Sequence, residues 1–264
     1  MKKQASGFTL IEFMVALAVF LFVIAGAANF YITQSRVRVS EQLGVTMESN
    51  LRLGLDTVTF TLRNAGYGAP TSNFSSWIPW ATLTANPTIT TGGTSTTPDT
   101  ITVAACQSST LTTLASAAVS GATSLTLTSA AGVNATNKRL IYINDNELAQ
   151  IQSVSGNTVN IDTNPVVTGP QGVSRAYAVN TPICLVQVTT YTVNTTTKQL
   201  TEDDNQGSGA QAIMDGVTNL KITTTAGAAH NEYKVTLTAQ SSQADPISFA
   251  YTTRQLSSTA SVRN

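Results

Sequence analysis

Charge is scarce in this sequence. Lys and Arg together number 14 and Asp and Glu another 14 among 264 residues, so charged side chains make up only 11 % and cancel. Soluble domains usually carry about 25 %. A balance at zero argues against a nucleic-acid protein resting on bulk charge. Histidine occurs once, as His230 in the loop-like stretch AGAAHNEY. A lone loop histidine reads as a solvated side chain, so no Ser/His/Asp arrangement is proposed. Zinc-ligand spacings and phosphate-cradling glycine loops are absent as well. These absences predict a chain that is not an enzyme and takes no cofactor. Proline is missing before Pro70, so nothing forces an N-terminal helix to break early. Thr, Ser, Asn and Gln fill the space left by charge, which suits a polar, uncharged, β-rich surface outside the cytoplasm.

The one long apolar run is at the N-terminus. Lys2 and Lys3 stand in MKKQASG, and Phe8 to Ala28 follow as 21 residues whose only charge is Glu12. At about 1.5 Å per residue such a helix matches a hydrocarbon core of about 30 Å. The two lysines predict that the leader stays in the cytoplasm while the rest is carried across. A secretory signal places its small-residue cut site after the apolar run. Here the small residue, Gly7, comes before it. A cut there removes the positive leader and keeps the apolar helix. Glu12 is expensive inside a membrane helix and is therefore a functional candidate. It lies one turn from the amine that a cut after Gly7 would expose on Phe8. Two roles are open to it: a helix N-terminal carboxylate favoured by the macrodipole, worth about 0.3–1 kcal/mol, or pairing with the amine of its own or an adjacent chain.

Gly7-Phe8-Thr9-Leu10-Ile11-Glu12-Phe13-Met14-Val15-Ala16 resembles the cleavage and methylation motif of type IV prepilins. The resemblance implies cutting between Gly7 and Phe8 by a prepilin peptidase and N-methylation of Phe8. It also implies that Glu12 neutralises a neighbouring subunit's N-terminus and so sets axial register. It places the chain in the inner membrane first, single-pass with its N-terminus cytoplasmic, and then in a periplasmic or cell-surface filament. Its partners would be other pilin subunits through the N-terminal helix, an inner-membrane assembly platform and, before assembly, the bilayer.

Past the apolar run, Val39, Leu43, Met47, Leu51, Leu55, Val58 and Leu62 recur at steps of four or three, one stripe of a 3.6-period helix. Gly66, Gly68 and Pro70 end it. Gly26, Asn29, Gly44 and Gly54 are expected weak points. Leu62-Arg63-Asn64-Ala65-Gly66-Tyr67 resembles the end of the stem in PilW-like minor pilins and in J-type pseudopilins of type II secretion. Gly172-Val173-Ser174-Arg175, Ile213 to Ile222 and the terminal Ser261-Val262-Arg263-Asn264 resemble the same group. A minor pilin of a type IV pilus, structural in priming and assembly, is the expectation. A type II secretion pseudopilin is the alternative, as is a pilus-associated adhesin or binding head. A DNA receptor would need a Lys/Arg cluster in the head, and the sequence shows none.

From about residue 70 the pattern changes to short alternating runs. Candidate strands are 100–104, 124–128, 139–143, 148–154, 158–162, 175–179, 183–193, 219–223, 233–238, 247–252 and 260–263. Asp145-Asn146 and Ser155-Gly156-Asn157 read as hairpin turns. The expected fold is α+β: a long N-terminal helix, half membrane-spanning and half amphipathic, packed on a Thr-rich antiparallel β head. Its parts are a leader over 1–7, a helix over 8–65 with its membrane or filament-core half at 8–28, a loop and the start of the head over 66–105, an additional β module over 106–180, and a C-terminal sheet region over 181–264.

The remaining candidates are few. Cys106 and Cys184 form either a disulfide closing a long loop, worth about 2–4 kcal/mol in an oxidising compartment, or two buried thiols; the export signal favours the disulfide. Glu202, Asp203 and Asp204 with Asn205 are a weak Ca²⁺ candidate through hard oxygens. They lack EF-hand spacing and read better as a solvated acidic loop. Asn144-Asp145-Asn146-Glu147 is better explained as a turn. Phe74, Trp77 and Trp80 form an aromatic loop that is either head core or a contact with another subunit.

Overall fold

A computed structural model describes residues 9–65, 88–90, 97–106, 112–133, 140–144, 147–165, 167–204, 209–226 and 231–262. The loop carrying Phe74, Trp77 and Trp80, the Asp145-Asn146 turn and His230 lie outside the described residues.

A long helix, α1, runs from Leu10 to Arg63 without a break. Gly26, Asn29, Gly44 and Gly54, the expected weak points, all lie within it. Single glycines cost about 1 kcal/mol each in a helix, too little to interrupt 54 residues otherwise free of proline. Thr33, Thr57, Thr59 and Thr61 return hydroxyl hydrogen bonds to carbonyls four residues back, which keeps these β-branched residues compatible with the helix.

Among the described residues thirteen strands follow: β1 (Thr88–Thr90), β2 (Thr100–Cys106), β3 (Thr112–Thr113), β4 (Ser124–Thr126), β5 (Leu140–Ile143), β6 (Glu147–Ser155), β7 (Thr158–Asp162), β8 (Pro182–Asn194), β9 (Gln199–Asp203), β10 (Gln211–Asp215), β11 (Val217–Ala226), β12 (Asn231–Gln240) and β13 (Thr253–Ser261). The first ten form one antiparallel sheet in the order β1-β2-β8-β5-β6-β7-β4, with β3 and β9 also on β8 and β10 on β9. The last three form a meander, β11-β12-β13. Short crossings and hairpins are what a helix-free β region without parallel crossovers allows.

Two expected strands are not strands. Residues 175–179 contribute a single bridge, Tyr177 to Ala118. Residues 247–252 are a turn, because Asp245 pulls the chain round: its Oδ1 accepts from the N–H groups of Ile247 and Ser248 at 2.8 Å each. Pro246 then has no N–H to give a ladder. Conversely β1, β3, β9 and β10 are short strands that alternation did not flag.

The chain divides into two compact units, 1–47 with 241–252, and 48–240 with 253–264. In the first unit, α1 exposes its apolar side chains from Leu10 to Ile32. The helix is long and apolar enough to cross a membrane, and none of its most apolar stretch is buried. Within that unit, Ser40 Oγ donates to Asp245 Oδ2, tying the 241–252 turn to the helix. The Ser40 hydroxyl, followed by the two backbone N–H groups, holds the Asp245 carboxyl down at about 2.

In the second unit the predicted stripe becomes core. Leu51, Leu55, Val58 and Leu62 are all at most 2 % exposed. They share one cluster with Ile101 and Val103 of β2, Tyr191 of β8, Leu200 of β9, Met214 of β10 and the inner faces of β11, β12 and β13. Burying each such side chain is worth about 1.5–3 kcal/mol. Thr61 Oγ1 and Tyr191 Oη meet at 2.8 Å, so the buried phenol has a partner on the helix. Burial pushes that phenol up to about 12. A second cluster of Leu114, Leu125, Leu127, Ile141, Ile151, Val159, Ile161, Val173 and Ile183 with their neighbours lies within residues 114–185. A third, smaller one surrounds Cys106 and Cys184, which form a disulfide across a sequence separation of 78.

Candidate functional site

The helix begins with a reciprocal cap. Thr9 precedes the first helical residue, Leu10, and Glu12 sits in the first turn. Glu12 Oε2 accepts from the Thr9 N–H at 3.0 Å and from the Thr9 hydroxyl at 3.0 Å. The Glu12 N–H in turn reaches Thr9 Oγ1 at 3.4 Å. This is a capping box, and it satisfies two donors that a helix N-terminus leaves orphaned. The sequence carries the signal for this box, since Thr9-x-x-Glu12 stands directly before the apolar run. Among the described residues, Glu12 Oε1 has no hydrogen-bond partner, and the side chain is exposed.

Magnitudes weigh the cap against the membrane. A good N-cap is worth about 1 kcal/mol, and the macrodipole adds about 0.3–1 kcal/mol. A carboxylate at the centre of a bilayer helix costs about 2.5–3.5 kcal/mol on insertion scales. The cap therefore offsets a part of the cost. The carboxylate oxygen that the cap leaves over is the one able to accept from a further donor.

Gly7 and Phe8, the expected cleavage and methylation positions, lie outside the described residues. Glu202, Asp203 and Asp204 lie at the end of β9 and just past it. Burial, reinforced by the charge of Asp204, raises the Glu202 carboxyl, while a hydrogen bond with Tyr191 opposes that rise. Among the described residues no group of three or more His, Cys, Asp and Glu side chains is placed to hold a metal ion. Glu147, expected only in a turn, instead starts β6 and accepts from Tyr177 Oη at 2.9 Å and from the Ser174 N–H at 2.7 Å. Burial and then this carboxylate raise the Tyr177 phenol above its ordinary value.

Residues 2–28 match the family model of the prokaryotic N-terminal methylation motif. No curated protein and no solved structure shows a significant match to the chain. The N-terminus is thus type IV prepilin-like. The match ends at residue 28 and so does not reach the stem end, Leu62 to Tyr67, or the later segments that resemble PilW-like minor pilins.

Proposed function

We propose that this chain is a minor pilin subunit of a type IV pilus, structural in priming and assembling the filament and without catalytic activity of its own. The observation that carries the proposal is the Glu12 carboxylate at the head of an exposed apolar helix, inside the methylation motif and only half engaged by its own cap. A prepilin peptidase would cut between Gly7 and Phe8, and methylation would follow on Phe8. The new amine lies one turn from Glu12. Within one chain the cap already occupies Oε2, which favours a neighbour's amine for the second oxygen. Stacked subunits would then bury Leu10 to Ile32 against one another in a fibre core and present their β regions outside. Before assembly the same helix would sit in the inner membrane, next to an assembly platform.

The motif supports a type II secretion pseudopilin on the same residues, and one experiment separates the readings. Filaments are sheared from cells, and their subunits are read by mass spectrometry. The expected result is a chain beginning at methylated Phe8 within sheared type IV pili. Its absence from pili, together with loss of protein secretion on deletion of the gene, would assign it to a pseudopilus. A chain that keeps Met1 to Gly7 would overturn both.

A further inference from the structure

The second unit carries a groove of about 830 Å³ that the filament reading does not use. Such a volume is within the range of small-ligand sites. Its floor is made by β6 and β7. Gln150 and Asp162 are opposite each other in the ladder, and both are buried, at 7 % and 6 % exposure. A register shift between Ile151 and Ser153 adds one residue to β6. The bulge leaves Ile151, Val154, Val159 and Ile161 on the core side, and puts Gln152 and Ser153 together in the groove. Gln152 Nε2 donates to Gln150 Oε1 at 3.0 Å, and Asn160 Nδ2 donates to Ser153 Oγ at 2.7 Å. A polar row of amides and hydroxyls is the result.

The lining also has an apolar part. Pro165, Val167 and Pro170 contribute it from the turn after β7. That turn is fixed at its base, where Asp162 Oδ1 accepts from the N–H groups of Asn164 at 2.9 Å and Gln171 at 3.0 Å. Among the described residues of the lining, Asp162 is the one ionisable side chain, and its Oδ1 accepts from those two backbone donors. No Lys, Arg or His stands among those described residues to hold an anion by charge. The ligand class that fits is uncharged, with hydrogen-bonding edges and an apolar face. Side-chain amides both donate and accept, and so suit vicinal hydroxyls.

The geometry points to a binding site for a neutral carbohydrate in this groove, with Gln152 and Asn160 reading the hydroxyls and Val167 packing on the ring's C–H face. The site is independent of filament assembly, so either assignment fails without the other. The test is saturation-transfer NMR on the full chain in a zwitterionic detergent, since glycoside detergents would compete. The probes are the methyl glycosides of galactose, mannose and N-acetylglucosamine, with galacturonate as the charged control. Transfer to the ring protons of at least one neutral glycoside is expected. Binding falls at least about tenfold in Gln152→Ala/Asn160→Ala, and also in Val167→Asp in the apolar part of the lining, with unchanged circular dichroism. These positions are exposed, which spares the core. No transfer to any neutral probe, transfer that survives both variants, or preference for galacturonate overturns the assignment.

Discussion

At the scale of single residues, the Thr9–Glu12 box separates two jobs that one carboxylate performs. If Glu12 served the cap alone, removing either partner would do similar harm. Thr9→Ala deletes the hydroxyl but keeps the backbone N–H that also holds Oε2. It should cost about 1 kcal/mol at the helix start and reduce incorporation into filaments less than about threefold. Glu12→Ala should leave membrane insertion and Gly7 cleavage intact but abolish incorporation. Immunoblots of sheared filaments against whole-cell levels read both, and equal defects would leave capping as the whole role. A second residue, Asp245, sets a pH response. Its carboxyl is held at about 2 against an ordinary 3.8. The folded form is therefore the stronger acid, and the stabilisation is present above about pH 4 and is lost as pH falls towards 2. The protection factors of the Ile247 and Ser248 amides, whose N–H groups donate to Asp245, should fall across that window once intrinsic exchange rates are divided out, and should hold between pH 5 and 8. In Asp245→Ala the protection should be low at every pH.

At the scale of elements, α1 packs closely on the sheets at a glycine. A Cβ on Gly54 would stand 2.8 Å from Met214 Sδ and 3.2 Å from Leu237 Cδ1. Gly54 is thus where β10 and β12 approach the helix, and not a hinge. Gly54→Leu should destabilise by about 1–3 kcal/mol through overpacking, lowering Tm by about 2–4 °C for each kcal/mol in a chain of this size. Gly54→Ala should come out near neutral, because about 1 kcal/mol of helix propensity opposes the strain and the Met214 side chain is able to move. Thermal melts of the two variants check the pair. This contact shows where legibility ends. The stripe from Met47 to Leu62 was readable because helical period is local, and it is buried as read. The hairpin at Ser155-Gly156-Asn157 was readable because Gly156, at φ 59°, supplies a turn that its neighbours in the ladder require. The Thr9 cap is legible in the same local way, from its spacing to Glu12. The glycine contact, the Ser40–Asp245 bond across 205 residues and the groove floor were not. Each depends on which distant strand arrives, or on a bulge that shifts side-chain alternation by one. No local period records either.

At the scale of the molecule, the disulfide divides the second unit into regions of different dependence. Cys106 ends β2, and Cys184 lies near the start of β8, so the bond closes a loop that contains β3 to β7. Nearly all of the second core, from Leu114 to Ile183, is inside that loop. The first core is held differently: its helix residues from Leu51 to Ala65 and its strands β11 to β13 lie outside the loop. A native cross-link is typically worth about 2–4 kcal/mol, and chain-entropy reasoning places that effect on the looped segment. Opening the bond should therefore loosen the two cores unequally. Cys106→Ala/Cys184→Ala should raise amide exchange across 114–183 by about 30- to 1,000-fold, which is that energy converted at tenfold per 1.4 kcal/mol. Amides of β11 and β12 should keep their protection, because their nine-residue ladder and the helix beneath them are untouched. Peptide-level exchange followed by mass spectrometry makes the comparison within one sample. A uniform rise over both regions would mean that the ten-stranded sheet and the meander open as one cooperative unit, and that the cross-link guards the whole fold and not its looped part.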